Sequence, residues 1–264
     1  MTEKKGSFSL KIIVLGSGSC VPSFVRYPSS YFFYSPVLKE NWLADIGEGA
    51  LFRLSEARES YREIDRIFIS HTHPDHIEAL VPLLLALKYT PGFKRIKPLF
   101  IYGPDNVWDY LRMRLDFAPY LKYDFPLEFI PCSHMSEVKI GPYLLKTEKM
   151  KHFEPTLGFR WDIGNKVVVY GADGALSDAL IELSLNADLL ISESSYPKNK
   201  PGPGHLTTFE AGKVAAEAGV RKLLLSHFYP EVAAKKEEEI EKEVRSSGYE
   251  GEIILAEDLM TIRI

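Results

Sequence analysis

The chain has 264 residues, 45% of them hydrophobic, enough to bury a substantial core in one large domain or two small ones. Its 32 basic and 36 acidic residues leave a formal charge of −4, so no overall basic bias points to a nucleic-acid or membrane partner. Cys20 and Cys132 are too few for a disulfide scaffold, the opening MTEKKGSFSL is polar rather than signal-like, and the most apolar window, 80–87, is far shorter than the roughly 20 residues of a membrane helix. The expectation is a cytoplasmic protein with no membrane span.

Short aliphatic runs bounded by glycine, proline or aspartate predict strands, and longer stretches with helical periodicity predict helices. In chain order these are strands over 11–15 and 30–34, a helix over 48–57, a strand over 66–70, a helix over 77–88, a strand over 99–102, a helix over 106–115, and strands over 127–130 and 166–170. A helix over 177–185, a strand over 189–192, a helix over 208–218, a strand over 222–226, a charged helix over 231–246 and a strand over 253–256 complete the series. Strands alternating with helices indicate an α/β fold. No Gly- or Pro-rich linker divides it; the one dense cluster, PKNKPGPG at 197–204, reads as a surface loop, so a single domain over 1–264 is expected.

The strand at 66–70 runs into His71-Thr-His-Pro-Asp-His76, three imidazoles and a carboxylate within six residues. Histidine is a common ligand of first-row metals, and this spacing lets His71 and His73 converge on one ion while Asp75 and His76 face another. The ordinary alternative is that Asp75 caps the next helix and the histidines are incidental. Metal sites in α/β proteins are expected at the carboxyl ends of strands, and two further candidates stand there: Asp173 after 166–170, and His227 after 222–226. Either alone could be a turn aspartate or a core histidine; together they suit a pair of cations about 3.5–4 Å apart that share a bridging carboxylate. A third imidazole for the first ion could come from His152 or from His134.

The motif His71-x-His73-x-Asp75-His76 resembles the signature of the metallo-β-lactamase superfamily, and LGSGSCVPS, Ser29-Ser30, LADIGEG at 43–49 and KHFEPTLGFR at 151–160 are similar to its ribonuclease Z-like branch. The resemblance implies an αββα four-layer sandwich, two mixed sheets with helices outside and metals at one edge. It implies that His71, His73 and His152 bind one ion and Asp75, His76 and His227 the other, with Asp173 bridging; His134 matches nothing. It also implies that His205, in Gly204-His205-Leu206-Thr207, protonates a leaving oxygen, with Glu193 orienting it. Without the resemblance, His205 is a loop histidine before a helix.

The function implied is a metal-dependent phosphodiesterase using hydroxide bridged between two divalent ions, zinc fitting best and manganese or iron compatible, with Asp75 orienting or deprotonating the water. The substrate is a small phosphodiester or RNA, and a homodimer is compatible. One departure matters. Enzymes of this branch that process tRNA carry a long arm between the motifs around His152 and Asp173, where only 20 residues intervene here. A basic loop, YTPGFKRIKP with Lys94, Arg95 and Lys97, could touch phosphate, although a solvated connector is the ordinary reading. The alternatives are a thioesterase or lactonase with the same ligands and, less favoured, a non-catalytic metal-bound binding module; neither cysteine lies in a motif that would suit antibiotic hydrolysis.

Overall fold

A computed structural model describes residues 10–153 and 155–264; the polar amino-terminal stretch up to residue 9 and Glu154 of the KHFEP motif lie outside the described residues. The amino-terminal half supplies β1 (Lys11–Gly16), β2 (Ser30–Ser35), β3 (Glu40–Ile46), β4 (Ile64–Phe68), β5 (Leu99–Gly103) and β6 (Leu127–Pro131). The carboxyl-terminal half supplies β7 (Glu137–Ile140), β8 (Tyr143–Lys149), β9 (Leu157–Ile163), β10 (Lys166–Tyr170), β11 (Leu189–Glu193), β12 (Lys222–Ser226) and β13 (Glu252–Leu255), and β14 (Thr261–Arg263) returns to pair with β1. The sheet orders are β14-β1-β2-β3-β4-β5-β6 and β13-β12-β11-β10-β9-β8-β7. Both sheets are mixed: β1 to β3 and β7 to β10 are antiparallel, while β3 to β6 and β10 to β13 run parallel.

Period-two alternation turns the sheets face to face. In β2, Tyr31 and Phe33 enter a core shared with the second sheet, while Phe32 points to the helix side. Phe68 of β4 sits between the layers, its ring centroid 5.1 Å from Trp161 and 5.8 Å from Phe159 of β9. Ile13, Leu43, Ile67 and Ile69 pack outward against Leu54 of α1 (Ala50–Glu56), Leu80, Leu83 and Leu84 of α3 (Leu80–Tyr89) and Leu111 of α4 (Asp105–Phe117); a one-turn α2 (Pro74–Ile77) precedes α3. The second sheet is covered by α5 (Asp178–Leu183), α6 (Thr208–Glu217), α7 (Pro230–Ala233) and α8 (Glu237–Arg245). The result is the αββα sandwich of two mixed sheets with helices outside.

Several elements differ from the sequence expectation. The helix expected over 77–88 is divided into α2 and α3, because Pro82 has no N–H to offer the Glu78 carbonyl and is tolerated only in a first turn. The helix expected over 231–246 is α7 and α8, separated by an extended Lys236. Strands β3, β7, β8, β9 and β14 were not anticipated as strands. The basic loop is structural at its centre: Arg95 is buried and donates to the carbonyls of Arg62, Lys97 and Pro98. It leads into the amino end of β5, whereas the histidine motif follows the carboxyl end of the parallel β4, so it is at the opposite end of the sheet from that motif.

Candidate metal centre

The carboxyl ends of β3, β4, β8, β10, β11 and β12 meet at one edge of the sandwich, and each delivers a polar residue there. Three of these exits pass through left-handed backbone at residues other than glycine: Asp45 (φ 53°), Ala172 (φ 51°) and His227 (φ 55°). Such conformations are costly and persist where the surroundings impose them, commonly at functional sites. Gly47 is required for another reason. A Cβ there would lie 2.3 Å from the Asp75 carbonyl oxygen, so only glycine lets the β3 exit press against the histidine motif.

Three groups of donor atoms result among the described residues, each with all its atoms within 4.8 Å of one another: Asp173, His205 and His227, and the two that contain the histidine motif, His71, His73, His152 and Asp173, and Asp75, His76 and His227. Asp173 lies between them, its Oδ2 3.3 Å from His76 Nε2 and 3.4 Å from His227 Nε2. All seven ligand candidates are therefore brought together. His134 is elsewhere, exposed and paired with Glu148.

The hydrogen bonds behind the rings determine which nitrogens are free. Ser70 Oγ donates to Asp45 Oδ2 at 2.7 Å, so toward His71 Nδ1, 2.9 Å away, it can only accept. His71 Nδ1 thus carries the proton, and its buried Nε2, which has no partner, presents a lone pair. Ser195 repeats the device: it donates to Glu193 Oε2 at 2.5 Å and accepts from His227 Nδ1 at 2.9 Å, so His227 turns Nε2 toward Asp75 Oδ2 and Asp173 Oδ2, each 3.4 Å away. His76 Nδ1 donates to Asp45 Oδ2 at 2.6 Å, and His152 Nδ1 donates to the Gly204 carbonyl at 2.8 Å. The Nε2 atoms of four imidazoles consequently face one another and the carboxylates of Asp75 and Asp173. Only positive charge reconciles them, and divalent cations fit this mixed imidazole and carboxylate set, with ring orientation held from outside.

The rings differ in how readily they take a proton. Burial disfavours charge on His76, yet Asp173, Asp45 and Asp75 outweigh it and push its pKa well above the ordinary histidine value. Burial also opposes ionisation of Asp173, but His227 and His76 hold its carboxyl well below the usual range. His71 goes the other way: burial, reinforced by His76, His73 and His152, holds it well below the ordinary value and leaves it neutral.

His205 is beside this centre, its Nδ1 3.0 Å from Glu193 Oε2, 3.1 Å from Oε1 and 3.8 Å from Asp173 Oδ2. Burial lowers its pKa, but the hydrogen bond and charge of Glu193 outweigh this and the net shift is upward. Glu193 also accepts from the Gly174 backbone N–H at 2.6 Å, tying His205 to the loop that carries Asp173. Sequence reasoning assigned no role to Asp45, Ser70, Ser195 or Tyr170, whose hydroxyl donates to Asp45 Oδ2 at 2.5 Å. The available signal was an aspartate inside the apolar run WLADI, where a carboxylate is kept only with several partners.

Two facing mixed sheets with a buried set of imidazole and carboxylate donors at one edge define an αββα protein built to hold divalent cations. The comparisons with known proteins narrow the class. Residues 41–228 match the model of the beta-lactamase superfamily domain. The chain is 28% identical to the ribonuclease Z of Prochlorococcus marinus strain MIT 9301, over 86% of this chain and 90% of that one, and 31% identical to the Bacillus subtilis protein named probable metallo-hydrolase YhfI, over 83% and 86%. The crystal structure of YhfI superposes with a TM-score of 0.83, at 28% identity, over 97% of this chain and all of that one. Human tRNase Z, short form, gives 0.76 over 96% and 98%, and at 23% identity this speaks to fold alone. The chain belongs to the metallo-β-lactamase superfamily, in its ribonuclease Z-like part, and is a metal-dependent hydrolase. No helix among the described residues is long and apolar enough to cross a membrane.

Proposed function

We propose that the chain is one catalytic domain, a phosphodiesterase that works with two divalent cations, zinc fitting the donor set best, on small phosphodiesters rather than on tRNA precursors. In this reading His71, His73 and His152 hold one cation, Asp75, His76 and His227 the other, and Asp173 both. Bound there, the cations supply Lewis acidity, which acidifies water and polarises the scissile group. Asp75, a ligand on the cleft side with 8% exposure, orients the attacking water or takes its proton. His205 gives the proton on Nε2 to the departing oxygen, while Glu193 keeps the Nδ1 proton in place and balances the imidazolium charge.

The observation that carries the reading is the His205–Glu193 pair. Although His205 shares a group of possible donors with Asp173 and His227, it is not among the seven ligands of this reading, and its Nδ1 is committed to a buried carboxylate, as an acid needs. Thioester hydrolysis has less need of such an acid, because a thiolate departs without a proton, whereas a lactone expels an alkoxide and is separated from a phosphodiester by the panel below. The restriction to small substrates rests on length: the alignment with the P. marinus ribonuclease Z spans 288 positions, more than this chain has residues, so that relative carries segments absent here, whereas the alignment with YhfI spans 222. The test is hydrolysis of a panel at defined metal loading: an aryl phosphodiester, a cyclic nucleotide, a precursor tRNA, a lactone and a thioester. Turnover of the small phosphodiesters with weak or no trailer removal from tRNA is expected. Turnover of the lactone or thioester alone would replace this reading with an acyl hydrolase.

A further inference from the structure

Asp45 is fully buried, and three donors converge on one of its oxygens. Oδ1 accepts from the Ser70 backbone N–H at 2.7 Å, while Oδ2 accepts from the Ser70 hydroxyl at 2.7 Å, His76 Nδ1 at 2.6 Å and the Tyr170 hydroxyl at 2.5 Å. This carboxylate also sets His76 apart from the other candidate ligands. His71 and His227 donate to serine hydroxyls and His152 to a backbone carbonyl, all neutral oxygens, whereas His76 donates to a carboxylate. A carboxylate partner raises the basicity of the ring's other nitrogen and so its strength as a metal ligand.

Tyr170 is the last residue of β10 and reaches Asp45 of β3 across the interior of the sandwich, from one sheet to the other. Burial and then the charge of Asp45 push its pKa well above the ordinary tyrosine value, so the hydroxyl keeps its proton and donates. A buried hydroxyl needs only one acceptor. Its neighbour Tyr31, with a ring centroid 5.2 Å away, meets that need on a neutral oxygen, Ser226 Oγ at 2.7 Å. Tyr170 instead donates to the oxygen that His76 uses. A hydrogen bond donated to a carboxylate stabilises its charged form and lowers its affinity for any other proton, here the one on His76 Nδ1.

We infer that Tyr170 is a positioning residue that acts on His76 through Asp45, weakening the pull on the Nδ1 proton and so loosening the cation held by Asp75, His76 and His227. The inference rests on the reading that these three residues hold a cation. Its sign separates it from a purely structural role. A hydroxyl that only ties Asp45 in place would, when removed, free Asp45 and His76 to move and weaken the cation; one that draws charge from Asp45 would, when removed, tighten it.

The test is competition with a chelator in the zinc-loaded protein, together with the proton resonance of His76 Nδ1–H. Tyr170→Phe keeps the ring and removes the donor. It is expected to hold the cation of Asp75, His76 and His227 about 3- to 10-fold more tightly, at the low end of what outer partners contribute, with the other cation unchanged. The His76 Nδ1–H resonance should move downfield as its bond to Asp45 strengthens. Tyr31→Phe removes a buried hydroxyl from the same core without touching Asp45 and should change neither reading. A second variant, with 3-fluorotyrosine at Tyr170, keeps both ring and hydroxyl and guards against a fold too weakened by the first. Its more acidic phenol donates more strongly, so the cation should be held more loosely and the resonance move upfield. Zinc binding that is unchanged or weaker in Tyr170→Phe, tighter with 3-fluorotyrosine, or equally tightened in Tyr31→Phe overturns the inference and leaves the two-cation reading standing. A wild-type chain that takes up fewer than two zinc ions fails that reading, and the inference with it.

Discussion

Ser70 and Ser195 each spend their single hydroxyl proton on a carboxylate and so oblige a histidine to donate to them. The consequence is that His71 and His227 both turn Nε2 inward. Removing such an outer partner commonly costs 10- to 100-fold in metal affinity. Ser195→Ala should therefore weaken the cation held by Asp75, His76 and His227 by roughly 10- to 100-fold, with a smaller effect on the other, as read by competition with a chelator. Equal weakening of both would mean that Ser195 acts on the whole centre rather than on His227. His205 belongs to the same scale but to a different job. His205→Ala should keep its metals and lose about 10²–10⁴-fold in turnover on diesters with poor leaving groups, and much less on an activated aryl diester, whose anion departs without a proton. Glu193→Gln should show the same pattern more mildly. Equal losses on both substrates would remove His205 from the acid role.

The elements explain why the centre could be read from sequence further than the sheets could. The histidine motif follows an apolar strand within six residues, and Asp173 and His227 follow two more, so strand ends and ligands announced one another. Strands without that signal were missed. β7 has four residues at a sheet edge, three of them not buried, and β14 has three residues, both shorter than a pattern argument can detect. β8 does alternate, with Tyr143, Leu145 and Thr147 buried, but its inward threonine and its neighbouring lysines and glutamate mask the period. β3 and β9 overlap the LADIGEG and KHFEPTLGFR segments, in which glycines and polar residues interrupt the apolar pattern of a strand. The division of the 231–246 helix has no local marker, since VAAKKEEE contains neither glycine nor proline. Asp45 was hidden for a related reason: its role needs Ser70, His76 and Tyr170, which come from the loop after β4, from α2 and from β10 and meet only in the fold. The β3 exit supplies the prediction for this scale. Gly47→Ala forces a Cβ toward the Asp75 carbonyl, and overpacking of this kind costs about 1–3 kcal/mol. Denaturant unfolding should register that loss together with reduced turnover, and an unchanged midpoint would show that the exit can relax.

At the scale of the whole molecule, the two sheets act as a rigid frame whose polar edge is paid for by an apolar interior: Phe33, Trp42 and Phe68 face Phe159, Trp161 and Tyr170 with centroid separations of 5–6 Å where they touch. That frame brings candidate ligands from sequence positions 71 to 227 into one small volume, a donor set that fits divalent cations. Metal content per folded chain is therefore the most direct test. After reconstitution with zinc and removal of the excess, elemental analysis should find about two ions per wild-type chain, as a bridging carboxylate between two imidazole clusters requires, and clearly fewer in Asp173→Ala. One ion or none in the wild-type protein, or two retained in Asp173→Ala, would contradict the shared-aspartate centre on which the account rests.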